Sequence, residues 1–207
     1  MSGAVLLAAG GTGGHMVPAD ALSAELVRRG HRVALVTDAR GARLPGLFAG
    51  VETQVIPAAT LSASSPWRWP GAFATILEGR AAARRLIRDR SARAVVGFGG
   101  YPALPALLAG RAAKLPTILH EQNAVLGRVN RLMAPRVSAL ALSFADTARV
   151  PVAARTRVTG NPVRAEVLAA RGRPFAPPPP DAPFHLLVVG GSQGARILSD
   201  VVPRALA

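Results

Sequence analysis

Cysteine is absent from the 207-residue sequence, which excludes disulfide frameworks, thiolate metal sites and cysteine nucleophiles and accords with a reducing compartment. Aromatic residues are sparse: six Phe, two Trp and one Tyr are too few and too scattered to form a platform on which nucleic-acid bases stack. No uninterrupted apolar run approaches the ~18 residues of a membrane-spanning helix. The opening run Ala4-Val5-Leu6-Leu7-Ala8-Ala9 has no basic residue before it and is broken by Gly10-Gly11, so no export signal is expected. Acidic residues are also few, 11 against 25 Lys and Arg, for a formal net charge of +14. Lysine is nearly missing as well, since every basic residue except Lys114 is arginine, spread along the chain beside abundant Ala, Gly and Pro. That pattern fits GC-rich coding bias, and net charge bears on solubility and non-specific attraction rather than on fold. No nucleic-acid partner is expected.

Against these absences, half of the residues are hydrophobic, mean hydropathy is +0.29 and only 17% are charged, so the chain can bury a sizeable core. At roughly 150 residues per domain, the length corresponds to more than one domain and fewer than two. Apolar runs of strand length alternate with longer amphipathic segments, the pattern of a parallel sheet covered by helices. Strands are expected over 4–9, 31–38, 51–56, 94–98, 116–120 and 137–144. Helices are expected over 19–29, with Pro18 in its opening turn and Gly30 as its stop, over 71–90, and after Asn123 as N-cap. Residues 57–70, rich in Pro and Ser, read as a loop.

From 171 to 183 the composition changes to Arg-Gly-Arg-Pro-Phe-Ala-Pro-Pro-Pro-Pro-Asp-Ala-Pro, which continues neither a helix nor a central strand. A second strand, 185–189, and a helix from Ala195 are expected after this linker. The segment Leu6-Leu7-Ala8-Ala9-Gly10-Gly11-Thr12-Gly13-Gly14 lies over Leu186-Leu187-Val188-Val189-Gly190-Gly191-Ser192-Gln193-Gly194 at a constant offset, which points to two related α/β domains. The chain then divides into a first domain at 1–160, an interdomain linker at 161–183, and the incomplete start of a second domain at 184–207.

A strand running through Gly10-Gly11-Thr12-Gly13-Gly14 into a helix lets backbone N–H groups and the helix N-terminus approach an anion closely; a plain tight turn is the structural alternative. A Walker loop is excluded because its Gly-Lys-Ser/Thr ending is missing. The dinucleotide fingerprint G-x-G-x-x-G from Gly11 fails at Met16, although Asp38 stands where a ribose-binding acid would, so a nicotinamide-dependent oxidoreductase is the weaker alternative. His15 follows the loop, where a neutral imidazole can accept a proton from a substrate hydroxyl, unless it is only a hydrogen-bonded structural residue. Gly99-Gly100-Tyr101 ends a second strand and His120-Glu121-Gln122-Asn123 a third, so three polar strand ends face one cleft. Glu121 there is either a reacting carboxylate or a buried one that orders the loop.

Taken in order, Gly10-Gly11-Thr12-Gly13-Gly14-His15, Gly99-Gly100-Tyr101, His120-Glu121-Gln122-Asn123, Gly160-Asn161-Pro162-Val163-Arg164 and Gly190-Gly191-Ser192-Gln193-Gly194-Ala195-Arg196 resemble the motif series of MurG-type glycosyltransferases over nearly the whole chain. The resemblance implies a GT-B architecture: an α/β, Rossmann-like parallel sheet with helices on both faces, plus the first β-α unit of a second Rossmann-like domain. It implies inverting transfer of N-acetylglucosamine from UDP-GlcNAc to undecaprenyl-pyrophosphoryl-MurNAc-pentapeptide (lipid I), giving lipid II for peptidoglycan, at the cytoplasmic face of the bacterial membrane. Thr12, Gly13, Gly14, Asn123, Arg164 and Ser192 match positions that contact the donor, and His15, Tyr101 and Glu121 match polar residues around the acceptor and reaction centre. His15 is the expected base, with Glu121 the next candidate. The implied chemistry uses no metal or cofactor, because helix dipoles can stabilise the departing diphosphate. The family's second domain normally continues through further strands, so these 207 residues alone are expected to bind UDP-GlcNAc weakly. A catalytically silent binding piece is the alternative reading. The helix at 71–90, with Phe73, Ile76, Leu77, Leu86 and Ile87 beside Arg80, Arg84, Arg85, Arg88, Arg90 and Arg93, and the Trp67-Arg68-Trp69 loop before it, is expected to rest on an anionic membrane surface.

Overall fold

The computed structural model describes residues 3–60, 64–172, 174, 176–179, 181–183, 185–190 and 195–206. Seven strands, β1 (Val5–Ala8), β2 (Val33–Thr37), β3 (Glu52–Val55), β4 (Ala94–Gly97), β5 (Thr117–Glu121), β6 (Ala139–Leu142) and β7 (Thr156–Val158), form one sheet in the order β3-β2-β1-β4-β5-β6-β7. Every pairing is parallel, with Leu7 opposite Leu35 on one side and Val96 on the other. The helices are α1 (Gly13–Arg28), α2 (Trp69–Asp89), α3 (Ala103–Ala112), α4 (Arg128–Met133), α5 (Ala165–Ala169) and α6 (Arg196–Leu206).

Alternate residues of a strand face opposite sides of its sheet, and this sheet is covered on both. Leu6, Ala8, Ala34, Val36 and Val95 join Ile76, Ala83, Leu86 and Ile87 of α2 and Ala103, Ala106 and Leu107 of α3 in one core. Leu7, Leu35, Val96 and Phe98 join Met16 and Ala19 of α1 in the other. The near-continuous apolar runs of the inner strands follow from this double burial. Strand order reverses between β1 and β4, and a crevice opens at the carboxyl ends of strands at such a point.

Several local expectations are corrected. Helix α1 starts at Gly13, so Pro18 stands inside it rather than at its opening; there its ring nitrogen offers no hydrogen to the carbonyl of Gly14, one turn back. Asn123 caps no helix, because α4 begins five residues later with Gly127 as N-cap. Strand β7 escapes the sequence pattern: it is a three-residue, fully exposed edge strand, Thr156-Arg157-Val158, with no apolar run to mark it. The chain separates into a unit at Met1–Leu168 and another at Ala169–Ala207. In the second, α6 forms near the expected position, but 185–190 is neither a strand nor buried. A parallel strand takes its hydrogen bonds from neighbours, and no strand stands in that unit among the described residues. Residues 191–194, including Ser192, lie outside the described residues. No helix among the described residues is long and apolar enough to cross a membrane.

Candidate active site

The site begins where β1 turns through Gly10 and Gly11 into α1. A Cβ on Gly10 would lie 2.7 Å from Asp38 Oδ1 and 2.8 Å from Pro102 Cγ, and Gly11 has a φ of +80°, so both positions demand glycine. The brace for this loop is Asp38, buried after β2. Its Oδ1 accepts from the backbone N–H of Gly11 (3.0 Å) and of Gly41 (2.9 Å), and its Oδ2 accepts from the Tyr101 hydroxyl (2.5 Å). Burial pushes the Asp38 carboxyl up, but the hydrogen bonds from Tyr101, Gly41 and Gly11 outweigh it and hold the group below the ordinary carboxylate range. Burial and the same bond to Asp38 push the Tyr101 hydroxyl up. The acid that a nicotinamide enzyme would place on a ribose is thus committed to the loop itself, and Tyr101 ties the loop after β4 to it.

Thr12 is the N-cap of α1, extended and making no side-chain cap, while its carbonyl accepts from the N–H groups of His15 and Met16 at 3.2 Å each. Gly13 and Gly14 occupy the first two helical positions, where helix geometry supplies no acceptor for an N–H. Space over Gly13 is open, since a Cβ there meets nothing within 4 Å. A hydroxyl, two backbone donors and the positive end of a helix dipole are therefore available together.

His15, half-buried, connects this loop to the end of β5. Its Nδ1 lies 3.2 Å from Gln122 Oε1, Gln122 Nε2 lies 3.0 Å from His120 Nδ1, and His120 Nε2 lies 3.1 Å from the Gly160 carbonyl oxygen. Gly100, at φ +72°, lies close to the His15 ring: a Cβ on it would come within 3.2 Å of His15 Cδ2. His120 is buried against Phe98, ring centroids 5.6 Å apart. That burial lowers its pKa despite the opposing effects of the Gly160 carbonyl and Glu121.

Glu121 is 1% exposed and all four of its acceptor positions are engaged. Oε1 takes the backbone N–H (3.0 Å) and side-chain amide (2.9 Å) of Asn123, and Oε2 takes the N–H of Gly127 (2.9 Å) and the Asn130 amide (3.0 Å). Asn123 itself is exposed and held by this carboxylate. The structure thus brings Thr12, Gly13, Gly14, His15, Tyr101, Glu121 and Asn123 to the ends of β1, β4 and β5. Arg164 is exposed and lines a different cleft, between 161–168 and Asp20, Glu25 and Arg28 of α1. Sequence reasoning assigned no role to Gln122 or Asn130. Gln122 sits inside a motif singled out above, whereas Asn130 stands in a helix with nothing in its neighbours to mark it.

Comparison with known proteins places this geometry. The chain is 55% identical over 204 residues to the UDP-N-acetylglucosamine--N-acetylmuramyl-(pentapeptide) pyrophosphoryl-undecaprenol N-acetylglucosamine transferase of Sphingopyxis alaskensis, covering 98% of this chain and 52% of the relative. It is 51% identical to the protein of the same name from Rhizobium meliloti, covering 99% and 54%. The chain spans about half the length of the curated relatives it matches. The crystal structure of Acinetobacter baumannii MurG superposes with a TM-score of 0.72 at 30% identity, over 99% of this chain and 55% of that one. The calicheamicin glycosyltransferase CalG4, at 16% identity and a TM-score of 0.56 over 88% and 57%, shares the fold. With the glycosyltransferase family 28 N-terminal domain matched over residues 5–142, on a Rossmann-like sheet whose glycine loop, His15 and His120-Glu121-Gln122-Asn123 meet at one crevice, the chain belongs to glycosyltransferase family 28.

Proposed function

We propose that this chain is the acceptor-side half of an enzyme that transfers N-acetylglucosamine from UDP-GlcNAc to lipid I, forming lipid II. The observation that carries the reading is His15, set beside the open N-terminus of α1 with one ring nitrogen held by Gln122. An acceptor sugar hydroxyl attacks the anomeric carbon, the bond from that carbon to the UDP oxygen breaks, and the hydroxyl proton passes to His15. The N–H groups of Gly13 and Gly14, the Thr12 hydroxyl and the α1 dipole stabilise the negative charge that develops in the crevice. Glu121, with its oxygens saturated by four donors, serves this reaction by shaping the 123–130 segment and presenting Asn123, and His15 is the base.

The same reading places the chain on the cytoplasmic face of the membrane, where a lipid-linked acceptor is found. Trp67 is 74%, Phe73 50% and Leu77 59% exposed, while Ile76, Leu86 and Ile87, which the sequence grouped with them, are core. On α2 the spacing of Phe73, Leu77, Arg84 and Arg88 puts apolar and basic side chains on one stripe, which suits the boundary between acyl chains and anionic headgroups. Arg90 does not belong to that stripe, being paired with Glu52 at 2.6 Å.

The test of the catalytic reading is His15→Ala in a full-length transferase carrying this half. The expected outcome is a fall in turnover of at least about a hundredfold, the usual scale of general-base loss. Near-normal turnover would remove His15 from the reaction.

A further inference from the structure

We infer that Gln122 and His120 are positioning residues that fix the tautomer of His15, placing its proton on Nδ1 and leaving the Nε2 lone pair free toward the crevice. The inference deepens the proposal above and draws its catalytic meaning from it.

The directions of the hydrogen bonds follow from one end. The Gly160 carbonyl only accepts, so His120 Nε2, 3.1 Å away, carries its hydrogen. A neutral imidazole has one N–H, and burial favours the neutral form of His120, so its Nδ1 is an acceptor. The group 3.0 Å from that nitrogen must then be the Gln122 amide nitrogen. The same nitrogen lies 3.3 Å from the His120 carbonyl oxygen; a flipped amide would set two acceptors against each other there and at the ring. Gln122 Oε1 is thereby directed at His15 Nδ1, 3.2 Å away. An oxygen of that kind only accepts, so Nδ1 of His15 donates. The proton has one place to be, and the lone pair of the neutral ring is on Nε2. A side chain at position 100 would crowd this ring, since a Cβ there would come within 3.2 Å of His15 Cδ2.

Free imidazole side chains prefer the opposite tautomer, with the proton on Nε2, which would present a donor to an acceptor hydroxyl. The chain from Gly160 through His120 and Gln122 reverses that preference. It also links the Gly160-Asn161-Pro162 segment to the base through Gln122 and His120.

The experiment is long-range 1H–15N NMR on the 207-residue chain with labelled histidine, at alkaline pH and without substrate. In the wild type His15 Nε2 is expected at the unprotonated 15N shift and Nδ1 at the protonated one, with His120 showing the reverse. Gln122→Met, of similar size but offering only a weakly accepting thioether in place of the amide oxygen, is expected to move His15 toward the Nε2–H form. Gln122→Glu, which keeps an acceptor for Nδ1–H, is expected to restore the wild-type His15 pattern. A wild-type His15 protonated on Nε2, or an unchanged tautomer in Gln122→Met, overturns the inference. If Gln122→Met does not fold, the wild-type and Gln122→Glu spectra decide it alone. Retained turnover in His15→Ala would end the reading of His15 as base and leave these spectra intact, so the two failures are distinguishable.

Discussion

At the scale of single residues, the crevice is built around two buried carboxylates that donate nothing and accept from everything around them. Asp38 gathers Gly11, Gly41 and Tyr101, and Glu121 gathers Asn123, Gly127 and Asn130. Each closes a loop at a strand end. Asp38→Asn turns one accepting oxygen into an NH2 facing a donor. Because hydrogen bonds to charged groups contribute about 1.5–3 kcal/mol, the variant is expected to lose about that much stability at neutral pH in urea unfolding. The pH dependence has a definite sign. The folded carboxyl of Asp38 titrates below its ordinary value of 3.8, so its contribution is complete above that pH and is lost as pH falls through and below it. The gap between wild type and Asp38→Asn should therefore narrow when unfolding is measured near pH 3. A gap that stays constant would mean that the charge of Asp38 does not support the loop.

At the scale of elements, α2 owes its position to one missing side chain. A Cβ on Gly79 would fall 2.0 Å from the Pro57 carbonyl oxygen and 3.2 Å from Pro105 of α3, so the helix rests directly on the backbone of the loop that leads to it. Glycine in a helix interior ordinarily costs about 1 kcal/mol relative to alanine, and Gly79→Ala would stabilise an isolated helix. Here overpacking against backbone is expected to reverse the sign, for a net loss of about 1–3 kcal/mol. Gly71→Ala, near the start of the same helix with nothing within 4 Å of its Cβ position, is the internal control and should be neutral or slightly stabilising. Equal effects of the two substitutions in thermal unfolding would contradict the close approach.

At the scale of the whole molecule, a net charge of +14 attracts the protein to any anionic surface and selects no orientation by itself. On the membrane reading proposed above, the apolar residues do the selecting, because Trp67, Phe73 and Leu77 are exposed beside arginines such as Arg84 and Arg88 that form no ion pair among the described residues. The combined variant Trp67→Ser, Phe73→Ser, Leu77→Ser keeps every charge. It is expected to reduce co-sedimentation with anionic vesicles by tenfold or more, since burying each such side chain is worth roughly 1.5–3 kcal/mol. Binding of the wild type should itself weaken on neutral vesicles, by about 1 kcal/mol for each arginine near the surface. Unchanged binding of the triple variant, or indifference of the wild type to anionic lipid, would remove α2 from the membrane.

By itself the sequence determined the layered α/β sheet, because doubly buried strands must be continuous apolar runs such as Val5-Leu6-Leu7-Ala8 and Ala94-Val95-Val96. It also determined where the crevice lies, because only glycine tolerates the left-handed backbone and close approaches at positions 10, 11 and 100. Helix boundaries were less legible: Pro18 marks a helix start by local preference, yet α1 begins earlier at the loop it caps. The three-residue edge strand β7 and the unpaired 185–190 segment depend on whether a neighbouring strand is present, which no local pattern encodes. Tertiary structure alone decided the division of labour among the polar residues. A carboxylate's role rests on how many donors reach it and a histidine's on which nitrogen is already engaged; Glu121 collects its donors from the nine residues that follow it, but only once the chain folds back on it, whereas the partners of His15 and His120, Gln122 and Gly160, come from distant segments.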